Sequence, residues 1–311
     1  MAGFRMLAVT TAAAGVLALV VVLRRRRRLT TRVVQSLPDT LRSFPKVELH
    51  VHLDGSFDAS LLYTAAKARL AAGELSAEAA SKVAGCGGVH EFANLVACQP
   101  SDKSLGAMLE RFMFFLPFVQ GDLAALEALA CRFVAQQAAN NVLYTEVRYS
   151  PHVLTRSGRN DDLCQECGVS PKPERDAEAR AVVEAITRGL RRGVAEHPGT
   201  EIVQILCFMD ARPQWATSLQ SLATDAAPSA DLSTCPVVGV DIAAGESHFS
   251  EGEAAPSTTT LRNGSIHRAG MCKCAAVGLG LTNHAGESGP AANVAAAMST
   301  VYGGARRVGH G

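Results

Sequence analysis

The sequence predicts an α/β protein and, among α/β folds, a (β/α)8 barrel. Two observations carry this expectation. From Phe44 onward, short apolar runs alternate with longer helical patterns, which implies right-handed βαβ units around a parallel sheet. Polar, reactive side chains also gather at or just past the C-terminal ends of several different strands, where barrels collect their functional groups on one face. A doubly wound sheet would concentrate such residues at one switch point and usually offers a Gly-rich phosphate loop, and the sequence shows none.

Residues 1–5 read as a short tail. Residues 6–23 form an uncharged apolar run, broken only by Thr10, Thr11 and Gly15, at the short end of what spans a bilayer as a helix. Arg24 to Arg28 follow at once. A secretory signal carries its charge before the apolar stretch, whereas here the stronger charge lies after it. By the positive-inside rule, the arginine side and everything beyond it stay in the cytoplasm. Residues 6–23 are therefore expected to anchor the protein to a membrane. An organelle-targeting presequence is the rival, because the segment is Arg-rich and free of acids; a plain cytosolic location follows if the segment is an artefact of the gene model. Residues 24–43 read as a basic linker and residues 44–311 as the barrel.

Charge and cysteines narrow the class. The chain is 48% hydrophobic with a formal net charge of +1, enough for a sizeable core. Residues 1–32 hold seven arginines and no acid, so the remainder is mildly acidic and gives no support for nucleic-acid binding. Nine cysteines at irregular spacing read as reduced thiols. Cys164 and Cys167 with Cys272 and Cys274 are a poor match to a four-thiolate zinc site, because the second pair is separated by one residue and lies far from the first.

The strand-like runs are Lys46–Leu53, Val142–Tyr149, Ile202–Met209, Val237–Ala243, Gly278–Asn283 and Arg307–Val308; several are β-branched and nearly continuous in hydrophobicity, as buried parallel strands are. Helical patterns cover Leu123–Asn140 (apolar at Leu126, Leu129, Ala130 and Phe133), Asp176–Glu196 (Val182, Val183, Ile186 and Leu190) and Pro290–Tyr302. Arg156–Arg175 and Glu246–Thr260 read as exposed loops. Strand ends carry His50, His52 and Asp54 on the first strand, and Arg148, Tyr149 and His152 on one read as the third. Asp241 lies on one read as the fifth, His284 and Glu287 follow the sixth, and His310 follows the seventh.

Three motifs carry chemistry. In Glu48-Leu-His50-Val-His52-Leu-Asp54-Gly55, alternation along a strand points His50, His52 and Asp54 to one face, and two imidazoles about 7 Å apart can reach one metal ion. In Asn283-His284-Ala285-Gly286-Glu287, His284 can add a third nitrogen, and Glu287 falls beside the metal without having to bind it, which suits an acid or base. In Gly309-His310-Gly311, glycines let the backbone turn sharply and approach a ligand. Leu105, Met108, Leu109 and Phe112 make an i, i+3, i+4, i+7 stripe, by default a core face.

PKVELHVHLDGS at 45–56, YTEVRYSPH at 144–152, NHAGE at 283–287 and RRVGHG at 306–311 resemble the motifs of adenosine deaminases in the amidohydrolase superfamily. QILCFM at 204–209 and VVGVDIAAGE at 237–246 fall between them in the expected order, so the resemblance runs from about Phe44 to Gly311. It implies a (β/α)8 barrel of the amidohydrolase type with one Zn2+ per subunit, held by His50, His52 and His284. Glu287 would be the general acid toward N1 of the purine, and His310 would orient or deprotonate the water that attacks C6. His52 and Asp54 would lie near the sugar hydroxyls, Ala244 and Gly245 near the purine, and Leu105, Met108, Leu109 and Phe112 would cover its entrance. The implied reaction converts adenosine or 2′-deoxyadenosine to the inosine form and ammonia. A deaminase of adenine or AMP and a non-catalytic membrane-tethered purine binder are the alternatives.

Two departures from the family pattern qualify these expectations. The family has Asp-Leu-Ala-Gly where this chain has Asp241-Ile-Ala-Ala244-Gly245, so the backbone amide survives only if Ala244 can adopt the conformation a glycine would. The family also carries a zinc-binding Asp-Asp pair on an eighth strand, and no aspartate follows Asp241 here. The expectation is a seven-stranded barrel lacking the eighth strand and final helices, unstable or inactive as residues 1–311 alone.

Overall fold

The computed structural model describes residues 41–156, 173–226, 235–246, 258–299 and 304–311, without side chains for 173–175 and 258–265. The chain divides into two compact units, Met1–Pro45 and Lys46–Gly311, and the second holds the architecture below. Residues 6–23 lie outside the described residues, among which no helix is long and apolar enough to cross a membrane. Cys164, Cys167 and positions 157–172 and 247–257 of the two expected loops also lie outside them; of the rest, 173–175 and 258–260 open helices rather than loops, and Glu246 is buried.

Among the described residues, six parallel strands form one sheet in sequence order: β1 Lys46–His52, β2 Val142–Tyr149, β3 Glu201–Met209, β4 Val237–Ala243, β5 Gly280–Ala285 and β6 Arg307–His310. Their number corrects the expected seven. Between β1 and β2 the described chain is helical, so the strand bearing Arg148 is the second and pairs directly with β1. Boundaries move as well. β5 begins at Gly280 rather than Gly278, which sits at φ 88° in the turn before it, so His284 lies within the strand. His310 likewise ends β6 instead of following it. The sheet curls enough for the His50 ring on β1 to reach β6: a Cβ built on Gly309 would lie 2.6 Å from His50 Cε1. A larger residue there would have to displace the His50 ring.

Helices cover the sheet. Four lie between β1 and β2 ahead of a fifth that leads into β2: α1 Ala59–Ala71, α2 Ala77–Gly85, α3 Val89–Val96, α4 Leu105–Phe115 and α5 Leu123–Ala139. Their starts follow from capping side chains. Asp58, Ser76, Ser104 and Asp122 each accept a hydrogen bond from a first-turn amide of α1, α2, α4 and α5, respectively. Then come α6 Pro173–Glu196, α7 Ala216–Ala226, α8 Thr258–Ala276 and α9 Ala291–Met298. The apolar stripes read in the sequence are the buried faces of α5 (Leu126, Leu129, Ala130, Phe133) and α6 (Val182, Val183, Ile186, Leu190). α9 is shorter than the expected Pro290–Tyr302, with Pro290 as its N-cap and Ser299 its C-cap.

Candidate metal centre and active site

β1 sets the site by simple alternation. Val47 and Leu49 face outward and are exposed, so Glu48, His50 and His52 face inward. His284 projects from β5 to meet them. Its Nε2 lies 3.1 Å from Nε2 of His50 and 3.0 Å from Nε2 of His52. A tetrahedral zinc with bonds of about 2.0–2.1 Å holds its nitrogens about 3.3 Å apart, so the three rings already stand near the required spacing. Among the described residues, these histidines form the group of three or more ligand-type side chains that could hold a metal ion.

The protonation of the rings suits that use. Burial, helped by the nearby Arg148 and His284 charges, pushes His50 down to about 4; burial and His284 push His52 down to about 3. Both are therefore neutral at physiological pH, with lone pairs free to coordinate. Burial works against a charged His284, but Asp241 outweighs it and raises its pKa. Nδ1 of His284 lies 2.9 Å from the Asp241 carboxylate. With Nδ1 against that carboxylate, Nε2 is turned toward the other two rings.

Asp241 is fully buried on β4 and also accepts from Arg148 Nη1 at 2.6 Å, while Nη2 of Arg148 donates to the Leu49 carbonyl at 2.6 Å. One buried chain of contacts thus joins β1, β2, β4 and β5 beneath the histidines. Burial alone would raise the Asp241 pKa; His284 and Arg148 hold it at about 2. Its place behind His284 makes it a supporting carboxylate, and the sequence offered no signal for the pairing because the partners lie on separate strands.

The other expected residues fall around this centre. His310 packs its ring 4.8 Å from that of His50 and 5.2 Å from that of His284, and its Nε2 lies 3.5 Å from Glu287 Oε1. Asp54 is buried, 3.9 Å from His52 Nδ1, and burial raises its pKa to about 7 against the hydrogen bonds of the Ser150, Asp54 and Gly55 amides. Ala244 adopts φ 63° and Gly245 φ 136°, so the alanine does take the left-handed conformation, at a cost of about 1–2 kcal/mol for an L-residue. Leu105, Met108, Leu109 and Phe112 lie on α4, each half-buried, and the Phe112 ring rests over Gly55, 2.9 Å from where a Cβ would stand. Two strand-end residues point elsewhere. His152 stacks on Trp215 and meets Ser218 at 2.9 Å, and the Tyr149 hydroxyl donates to Gln204.

One carboxylate escaped the sequence reading. Glu246, two residues beyond Ala244, reaches across to the turn after β5 and accepts from the amides of Gly286, Ser288 and Gly289 and from Asn293. Burial opposes its charge, but those donors hold its pKa at about 2.

A family model for adenosine deaminase matches residues 45–311. The chain belongs to the adenosine deaminase family. It is 32% identical over 271 residues to the adenosine deaminase of Xenopus tropicalis, covering 86% of this chain and 64% of that protein. Against the Mus musculus adenosine deaminase the identity is 31% over 276 residues, covering 86% and 65%. The chain therefore spans just under two thirds of the length of these relatives. Solved structures share the fold. An amidohydrolase from Burkholderia ambifaria with bound Zn superposes at a TM-score of 0.59 and 19% identity, covering 89% of this chain and 62% of that one. Arabidopsis ADAL complexed with GMP gives 0.56 and 20%, covering 87% and 66%.

Proposed function

We propose that the protein is a zinc-dependent deaminase of adenosine and 2′-deoxyadenosine, releasing ammonia and the inosine form. The observation that carries this reading is the convergence of His50, His52 and His284 nitrogens beside the Glu287–His310 pair, at the C-terminal ends of strands in an adenosine deaminase-family barrel. A bound zinc ion would supply a water whose pKa falls from 15.7 toward about 7, making hydroxide available at neutral pH. The chain's own residues do the rest. Glu287 delivers a proton to purine N1, which draws electron density from C6 and prepares it for attack. His310, 3.5 Å from Glu287 and edge-on to the His50 ring, would hold the attacking water on one face and take up its proton, which passes to the amino group as the C6–N bond breaks and ammonia leaves.

Substrate selection follows from the walls. Ala244 and Gly245 offer backbone amides to the purine edge in a turn preset by their positive φ values. Asp54 and His52 face the sugar, and a buried carboxyl group there suits hydrogen bonding to its hydroxyls. Leu105, Met108, Leu109 and Phe112 close over the entrance and exclude water. The test is ammonia release by the purified full-length protein from adenosine, adenine and AMP, with zinc measured alongside. Release from adenosine that is lost on chelation and restored by Zn2+ is the expected result. A preference for AMP or adenine would overturn the nucleoside reading, and inactivity on all three with zinc bound would overturn the deaminase reading.

A further inference from the structure

We propose that Glu246 is a positioning residue that sets the aim of Glu287 and ties it to the purine-binding wall. The inference rests on the reading of Glu287 as the general acid.

The turn that carries Glu287 runs Gly286-Glu287-Ser288-Gly289, with Gly286 at φ 79°. Two glycines in four residues leave such a turn many conformations of similar energy. Glu246 removes that freedom. Its Oε1 accepts from Ser288 N at 2.8 Å and Gly289 N at 3.0 Å; its Oε2 accepts from Gly286 N at 3.1 Å and Asn293 Nδ2 at 2.8 Å. The donors lie on both sides of Glu287, so its backbone is held before and after the Cα. A carboxylate is the side chain that can do this: it offers acceptors at both oxygens and no donor, and hydrogen bonds to an ionised acceptor are about twice as strong as neutral ones.

The other end of the link is equally placed. Glu246 follows Ala244 and Gly245, whose φ values of 63° and 136° turn the chain out of β4 and toward β5. The turn that presents amides to the purine therefore also carries the carboxylate that holds the acid. Glu246 thus links the turn after β4 directly to the turn that carries Glu287.

The test is Glu246→Gln in the zinc-loaded full-length enzyme. Glutamine keeps the shape but sets an NH2 group against amide donors at one oxygen position. Expected is a fall in kcat for adenosine of about 10–100-fold, the scale of an ångström-sized misplacement. KM should move less than about threefold, since ground-state binding is untouched. Zinc content and melting temperature should hold near wild type, while amide exchange at 286–289 quickens. Adding Asn293→Asp to the Glu246→Gln variant gives the introduced NH2 group an acceptor and should recover about fivefold of the lost kcat, although Asn293→Asp alone, with two carboxylates in contact, should lower it. A kcat within about twofold of wild type would overturn the proposal, as would kcat, KM, zinc content and melting temperature all falling together, the mark of simple structural support. Unchanged exchange at 286–289 in Glu246→Gln would overturn it whatever the wild-type activity proves to be, whereas quickened exchange with no wild-type deamination would locate the failure in the reading of Glu287.

Discussion

Asp241 shows how one buried carboxylate serves stability and site geometry together. Its Arg148 partner lies at 2.6 Å and its His284 partner at 2.9 Å, and none of the three is appreciably exposed. Because its folded pKa of about 2 lies below the ordinary carboxylate value near 4, its stabilisation is complete above about pH 4 and is lost as pH falls through about 2. Replacing it with asparagine leaves the Arg148 charge buried beside a neutral group. Asp241→Asn is expected to lower stability by about 3 kcal/mol in thermal or denaturant unfolding, and to weaken zinc binding about 10–100-fold in a competition titration, because His284 loses the partner that orients it. An unchanged zinc affinity would show that His284 needs no such support. The sequence made His50 and His52 easy to read, since strand alternation is a local rule. It showed Asp241 on a strand but not behind His284, because that contact depends on which strands become neighbours.

At the level of elements, the short strand β6 brings Gly309 against the His50 ring, within 2.6 Å of a Cβ position. Gly309→Ala must push that ring or the strand itself. The expected result is about a tenfold loss of zinc affinity, with far-UV circular dichroism unchanged; wild-type affinity would mean that His50 turns aside without cost. The strands were legible because each is a short, nearly continuous apolar run. Their ends drifted by as much as two residues where glycines blur the boundary, as at Gly278 and Gly280. Their number was misjudged because a numbering borrowed from the expected eight-stranded barrel placed a strand where residues 53–141 are in fact turns and helices. Glu246 closes the VVGVDIAAGE run, but its role was not legible: its donors lie 40 or more residues away, in a turn whose own sequence looks self-sufficient.

Across the molecule, the tasks are divided by depth. The Arg148–Asp241–His284 chain is sealed from solvent, and the residues proposed to meet substrate stand at the strand ends and the turns that follow them. Between β1 and β2, five helices rise before the chain returns to the sheet, and α4 lays Phe112 across Gly55, one residue beyond Asp54. On the function proposed above, a nucleoside seated against Asp54 passes α4 on entry and its product passes it on leaving, so α4 is expected to move. Swinging a helix moves solvent, so friction should enter the catalytic cycle. At saturating adenosine, doubling the microviscosity with sucrose should roughly halve kcat if release past α4 limits turnover, whereas a large polymer that thickens the bulk alone should not. Phe112→Ala should turn faster and ignore the sucrose. Equal rates in thin and thick solvent for the wild-type enzyme would mean that chemistry, rather than passage past the ring, sets the pace.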